Sequence, residues 1–191
     1  MKHSIVFNLW GGPGTGKSTT MAGIFHELKL VGESTEVASE WIKEKVWAGL
    51  ENICKNQLYV FSKQHNKLWS LDGKVDYIIT DSPLGLSYYY GKVVNESNEF
   101  FNLVSNKIHG FNNINIFLNR VKDYNKAGRL QNEEHAIEID FELKTILRSM
   151  PNTFQIDADK FAAKKISDAI LDMKYNHNNN IIDFNLPRFN P

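Results

Sequence analysis

Cysteine is almost absent, with Cys54 standing alone among 191 residues. A single thiol closes no internal disulfide, and no histidine lies at zinc-ligand spacing from it. A secreted disulfide scaffold and a structural zinc module are both excluded, and a reducing, cytoplasmic setting is expected. Long hydrophobic runs are missing too. The apolar stretch Ser4 to Trp10 is far shorter than a membrane span and leads into glycines rather than a signal-peptidase site, so it reads as a buried strand. Neither sign of charge dominates. With 22 basic and 22 acidic residues, the chain has no global field to draw it to nucleic acid, although a local basic groove stays open. Internal repeats and a composition break that would split the chain are likewise lacking, which leaves one domain over residues 1–175 and a tail over 176–191, Asn-rich at first and Pro-containing at its end.

What is present alternates between two periods. Ser4–Trp10 is β-branched and aromatic and is bounded at once by glycine, as a central parallel strand is. Met21, Ile24, Phe25 and Leu28 then recur at helical spacing until Gly32 stops the helix. Further strands are predicted over 35–39, 75–80, 114–118 and 153–156. Helices fall between them, one from Trp41 to Leu50 and another presenting Leu58, Phe61, His65 and Leu68 on one face. Such alternation predicts right-handed crossovers and an α/β fold: a five-stranded parallel sheet in the order 2-3-1-4-5, helices on both faces, and ligands at the carboxyl ends of the strands.

Between the first strand and the first helix stands Gly11-Gly12-Pro13-Gly14-Thr15-Gly16-Lys17-Ser18, the full GxxxxGK[ST] pattern. The chain must wrap phosphate oxygens with its N–H groups turned inward, which calls for positive φ and no side-chain bulk. Pro13 stiffens the loop. The following helix points its positive end at the phosphates, Lys17 reaches the β- and γ-phosphates, and the Ser18 hydroxyl suits Mg²⁺. Thr19 lies close enough to touch a phosphate. ATP and Mg²⁺ are the cofactors this motif calls for.

A second acid is expected where a neighbouring strand ends, and Asp81, after Val75–Thr80, supplies it. The same residue also suits the N-cap of a turn starting at Ser82-Pro83. Two motifs that would redirect the reading are absent. Asn119-Arg120-Val121-Lys122-Asp123 fails the Asn-Lys-x-Asp guanine-reading pattern of GTPases, and Ser82 stands where mechanical ATPases carry a Glu. Small-molecule kinases need a basic lid after the fourth strand to neutralise and shield the migrating group. Arg120, Lys122, Lys126 and Arg129 stand there, within a lid spanning about residues 120–132.

Gly11 to Ser18, Asn56-Gln57-Leu58-Tyr59-Val60-Phe61, Thr80-Asp81-Ser82-Pro83 and Gly128-Arg129 resemble the nucleoside and nucleotide kinase branch of P-loop proteins. The resemblance is strongest to NadR-like (nicotinamide riboside kinase-like) domains, common among bacteriophage proteins, and covers most of the first 150 residues. It implies a lid and an acceptor pocket. It also implies that the acid ending the second strand, here Glu40, faces the acceptor hydroxyl, and that the loop Asp157-Ala158-Asp159-Lys160 lies near the nucleotide base. By position, Glu40 equally suits a helix N-terminal charge, and Asp157 or Asp159 a helix cap.

Gln57 is a candidate for the acceptor base or sugar. Of Tyr88-Tyr89-Tyr90, three residues that cannot share one helix face, Tyr88 is the candidate stacking wall. Phosphoryl transfer to a nucleoside, nucleotide or similar acceptor is the reading these residues favour. Lys17 and the loop amides would hold the phosphates, Ser18 and Asp81 the metal. Glu40 would serve as acceptor ligand or base, and Arg120 and Arg129 would close over the transferring group. Two alternatives stay open: a kinase acting on a hydroxymethylated pyrimidine in DNA, which the neutral charge disfavours, and an ATPase or switch acting on a protein partner.

Overall fold

The computed structural model describes residues 3–121, 133–175 and 184–190. Its sheet has five parallel strands, β1 (Ile5–Trp10), β2 (Thr35–Val37), β3 (Tyr77–Thr80), β4 (Asn112–Asn119) and β5 (Thr153–Asp157), in the order β2-β3-β1-β4-β5. Strand β1, buried on both faces, takes the centre, pairing with β3 on one side and β4 on the other. This is the expected architecture.

Alternation along β1 divides the core in two. Phe7 and Leu9 face helices α1 (Lys17–Leu30) and α7 (Ala162–Tyr175). Val6 faces the other way, toward α3 (Gln57–Trp69), α4 (Leu86–Val93) and α5 (Asn98–Ile108). Trp10, on that second face, packs with Phe117 against Ile139, Leu143 and Leu147 of α6 (Glu133–Leu147). The helices cover both faces, as a parallel sheet requires.

Local chemistry sets the helix ends. Gly32, at φ 82°, lets α1 stop: its N–H bonds Lys29 O and the Glu33 N–H bonds Leu28 O. Helix α2 (Trp41–Trp47) is shorter than expected because Gly49, at φ 72°, breaks it before a 3-10 turn over Glu51–Lys55. Helix α3 buries Gln57, Phe61, Gln64 and Leu68, whereas Leu58 is 52% exposed. The expected face is therefore rotated. Phe61 and Leu68 belong to both stripes, and the hydrogen bonds of Gln64 to Ala38 O and from the Trp41 N–H decide between them.

At the far edge, residues 184–190 run along β5. The Gln155 N–H bonds Pro187 O, the Phe189 N–H bonds Thr153 O, and Phe154 and Arg188 form an antiparallel bridge. Phe184 is buried against Phe154, their ring centroids 4.9 Å apart. This part of the C-terminal segment thus contributes to the core.

Candidate active site

The glycine loop leaves β1 and enters α1. Gly11, Gly14 and Gly16 have φ of 144°, 83° and 93°, conformations that side chains resist. Gly12 is glycine for a different reason: a Cβ there would lie 2.7 Å from both Ala136 O and Asp140 Oδ1, so α6 presses directly on the loop. Buried Thr15 closes the bend by donating its hydroxyl to Gly12 O at 3.0 Å.

Helix α1 has no side-chain cap and no acid in its first turn, so its first N–H groups and its positive end are left for an anion. Lys17 donates to Gly11 O at 2.6 Å and Gly12 O at 3.0 Å, which holds its ammonium at the loop. Burial lowers its pKa below the usual lysine value, against the opposing charges of Glu40, Asp81 and Asp140 and with a contribution from Arg120. Thr19, one position beyond Ser18, is exposed.

Asp81 joins three elements. Buried at the end of β3, it accepts the Ser18 hydroxyl at 2.6 Å through Oδ2 and the Glu40 N–H at 2.9 Å through Oδ1. The second bond fixes the turn between β2 and α2, bringing Glu40 beside the phosphate loop. Burial pushes the Glu40 carboxyl above its usual range, Asp81 adds to that shift, and Lys17 and Lys43 oppose it. Lys43, on α2, reaches to 3.5 Å from Ser18 Oγ. Ser18 and Asp81 offer hard oxygen donors, and among the described residues no group of three or more His, Cys, Asp or Glu could hold a metal alone. A cation here would draw its remaining ligands from phosphate and water, which is the habit of magnesium.

The acceptor-side candidates separate. Gln57 is buried, and its amide donates to Cys54 O at 2.6 Å. Tyr88 stacks on Phe101, centroids 6.3 Å apart and planes 15° apart, so its ring belongs to the α4–α5 contact. Tyr90 is half-buried on the same helix. Burial and then the Glu40 carboxylate raise its pKa well above the usual tyrosine value. Sequence reasoning missed it, although two positions along a helix turn a side chain by more than half a circle.

Arg120, at the end of β4, donates from Nη2 to Pro13 O at 3.0 Å and from Nε and Nη2 to Asp140 Oδ2 at 3.1 and 2.9 Å. The Gly12 N–H bonds the other oxygen, Asp140 Oδ1. Asp140 was also missed, its one signal being an acid set beside the apolar positions of α6. Lys122, Lys126 and Arg129, with most of the expected lid, lie outside the described residues. Beyond β5, Asp159 accepts the Phe161 N–H at 2.8 Å just before α7, a bond that lowers its pKa, and Asp157 accepts from Asn119 at 3.2 Å. A cleft of about 580 Å³ between β5, α7 and residues 185–187 includes Asp157 but no residue of the phosphate loop.

No protein-family profile matches the chain, and no curated protein is significantly similar to it. Among solved structures it is similar to the crystal structure of NadR protein in complex with NR, with a TM-score of 0.61 and 18% identity. That match covers 82% of this chain and 46% of the other, so this chain spans less than half of its neighbour's length. At this identity the likeness is one of fold, and the chain has the NadR-like P-loop fold that its motifs predict.

Proposed function

We propose that this protein moves the γ-phosphoryl group of ATP to the hydroxyl of a nucleoside, a nucleotide or a related small acceptor. The observation that carries this reading is the double engagement of Asp81, which binds the phosphate-loop Ser18 with one oxygen and the backbone of Glu40 with the other. A nucleotide switch needs the first contact. The second fastens the backbone of another acid, Glu40, whose pKa burial raises, and this supports Glu40 as the group that takes the proton of a hydroxyl attacking the γ-phosphorus. The bond between acceptor oxygen and γ-phosphorus forms as the β–γ bridging oxygen leaves with ADP, and the proton passes to the Glu40 carboxylate. Lys17 and the loop amides hold the phosphates throughout, and Arg120 stands at the loop mouth beside Pro13. Ser18 and Asp81 would hold Mg²⁺ delivered with the nucleotide, which neutralises phosphate charge.

The structural neighbour is recorded with NR bound, which adds support for a nucleoside-like acceptor and puts NR in the first test panel. Purified protein is incubated with γ-labelled ATP and separate nucleosides, nucleotides, NR and DNA carrying hydroxymethylated pyrimidine. Label is expected in a small acceptor and absent with Lys17→Ala. Label entering only the DNA would replace the small acceptor with a polymer, and ATP hydrolysis that no acceptor stimulates would sink the transferase reading.

A further inference from the structure

Helix α6 is already fastened to the sheet by Ile139, Leu143 and Leu147, buried against Trp10 and Phe117. Asp140 adds nothing to that apolar contact. Its carboxylate instead divides between two partners, with Oδ1 on the Gly12 N–H of the phosphate loop and Oδ2 on Nε and Nη2 of Arg120. The same Nη2 bonds Pro13 O. Four groups from three elements therefore close on one another, and the ion pair at their centre is 13% and 14% exposed. The absence of a side chain at Gly12 is what admits α6 to this distance.

From this geometry we infer that Asp140 is a positioning residue, which holds the Arg120 guanidinium in one orientation against the phosphate loop and so prepares it for a phosphoryl group. A long arginine side chain loses rotamer entropy when it is ordered. Carboxylate contact through both Nε and Nη2 removes that freedom before the nucleotide arrives. The charges also require the pair. An unpaired carboxylate on a loop amide would repel phosphates, whereas beside Arg120 its charge is balanced. Arg120 is thus tied to Pro13 and Asp140 to Gly12, adjacent residues of the loop, and the two side chains to each other.

The inference rests on the phosphotransfer reading for its kinetic consequence but not for its structural one, and the two are read separately. In heteronuclear NMR near neutral pH, the Arg120 Nε–H, identified by its loss in Arg120→Lys, is expected as a slowly exchanging signal that disappears in Asp140→Asn. In transfer assays, Asp140→Asn is expected to lower kcat by about tenfold or more while KM for ATP changes by less than about threefold. Placed in an Arg120→Ala background, Asp140→Asn is expected to cost nothing further. An Arg120 signal unaltered in Asp140→Asn, or costs that multiply in the double variant, would overturn the positioning role. Wild-type protein that retains the signal but transfers to no acceptor overturns the transferase reading and leaves the positioning standing. Should Asp140→Asn fail to fold, Arg120→Lys tests the same pair. It keeps the charge and loses the Nε donor, and an unchanged kcat there would overturn the inference.

Discussion

Ser18 Oγ and Asp81 Oδ2 are 2.6 Å apart although 63 residues separate them in sequence. The contact brings the first turn of α1 and the end of β3 to one point, which is possible because β3 lies beside β1 in the sheet. The two oxygen donors of the proposed cation site are thus already side by side. Asp81→Asn is expected to cut ATP turnover by about a hundredfold or more and to raise the magnesium concentration needed for half-maximal rate. Turnover within about twofold of wild type at limiting magnesium would remove Asp81 from the site.

Glu40 makes a prediction in pH. In its proposed role as base Glu40 works only when ionised, and burial raises its pKa above the usual glutamate range, so transfer should begin to fail on acidification at a higher pH than for an ordinary glutamate. Stability runs in the opposite direction. The folded protein binds this proton more tightly than the unfolded chain does, so stability falls as pH rises from the ordinary glutamate range through the raised value. Glu40→Gln, which cannot ionise, should therefore melt higher than wild type near neutrality and alike in acid, while losing about a hundredfold or more in transfer rate. A lower melting temperature at every pH would contradict this.

Thr35 opens β2 fully buried, and its hydroxyl has no hydrogen-bond partner among the described residues. An unpaired buried hydroxyl costs about 1–3 kcal/mol, and valine keeps the β-branched shape without it. Thr35→Val is expected to raise unfolding stability by about 1 kcal/mol in urea titration. A loss of that size would mean that the hydroxyl is bonded.

Phe184 is 3% exposed and meets Phe154 and Phe7 at centroid distances of 4.9 and 5.8 Å. Phe184→Ala should cost about 3–5 kcal/mol, comparable with loss of any core phenylalanine. An unfolding midpoint unchanged by the substitution would show the segment to be dispensable.

The first strand and the phosphate loop were legible because each rests on short-range chemistry, and the strand order came with the fold class they imply. Ile5–Trp10 is apolar without interruption, and the glycines at 11, 14 and 16 mark backbone that must turn with positive φ. The face of α3 was not legible, because Phe61 and Leu68 fit two stripes and only long-range bonds from Gln64 select one. Asp140 was hidden for a related reason. An acid on a helix otherwise facing the core looks solvated until the loop it touches, 128 residues away in sequence, is in place. Tyr88 and Tyr90 are equivalent as letters, and only the packing of α4 on α5 shows that the Tyr88 ring lies on Phe101.

The strip of chain at 187–189 also settles how the sheet ends. An open strand edge is a template on which another chain can add, and the ladder positions of β5 at Thr153 and Gln155 are occupied by Phe189 and Pro187 of the same molecule. Pro187 meets β5 with its carbonyl alone, having no N–H to give to the ladder. At the opposite margin β2 is only three residues long. The molecule thus carries its own guard against strand addition, and removing residues 184–190 would open the β5 edge to a neighbouring chain.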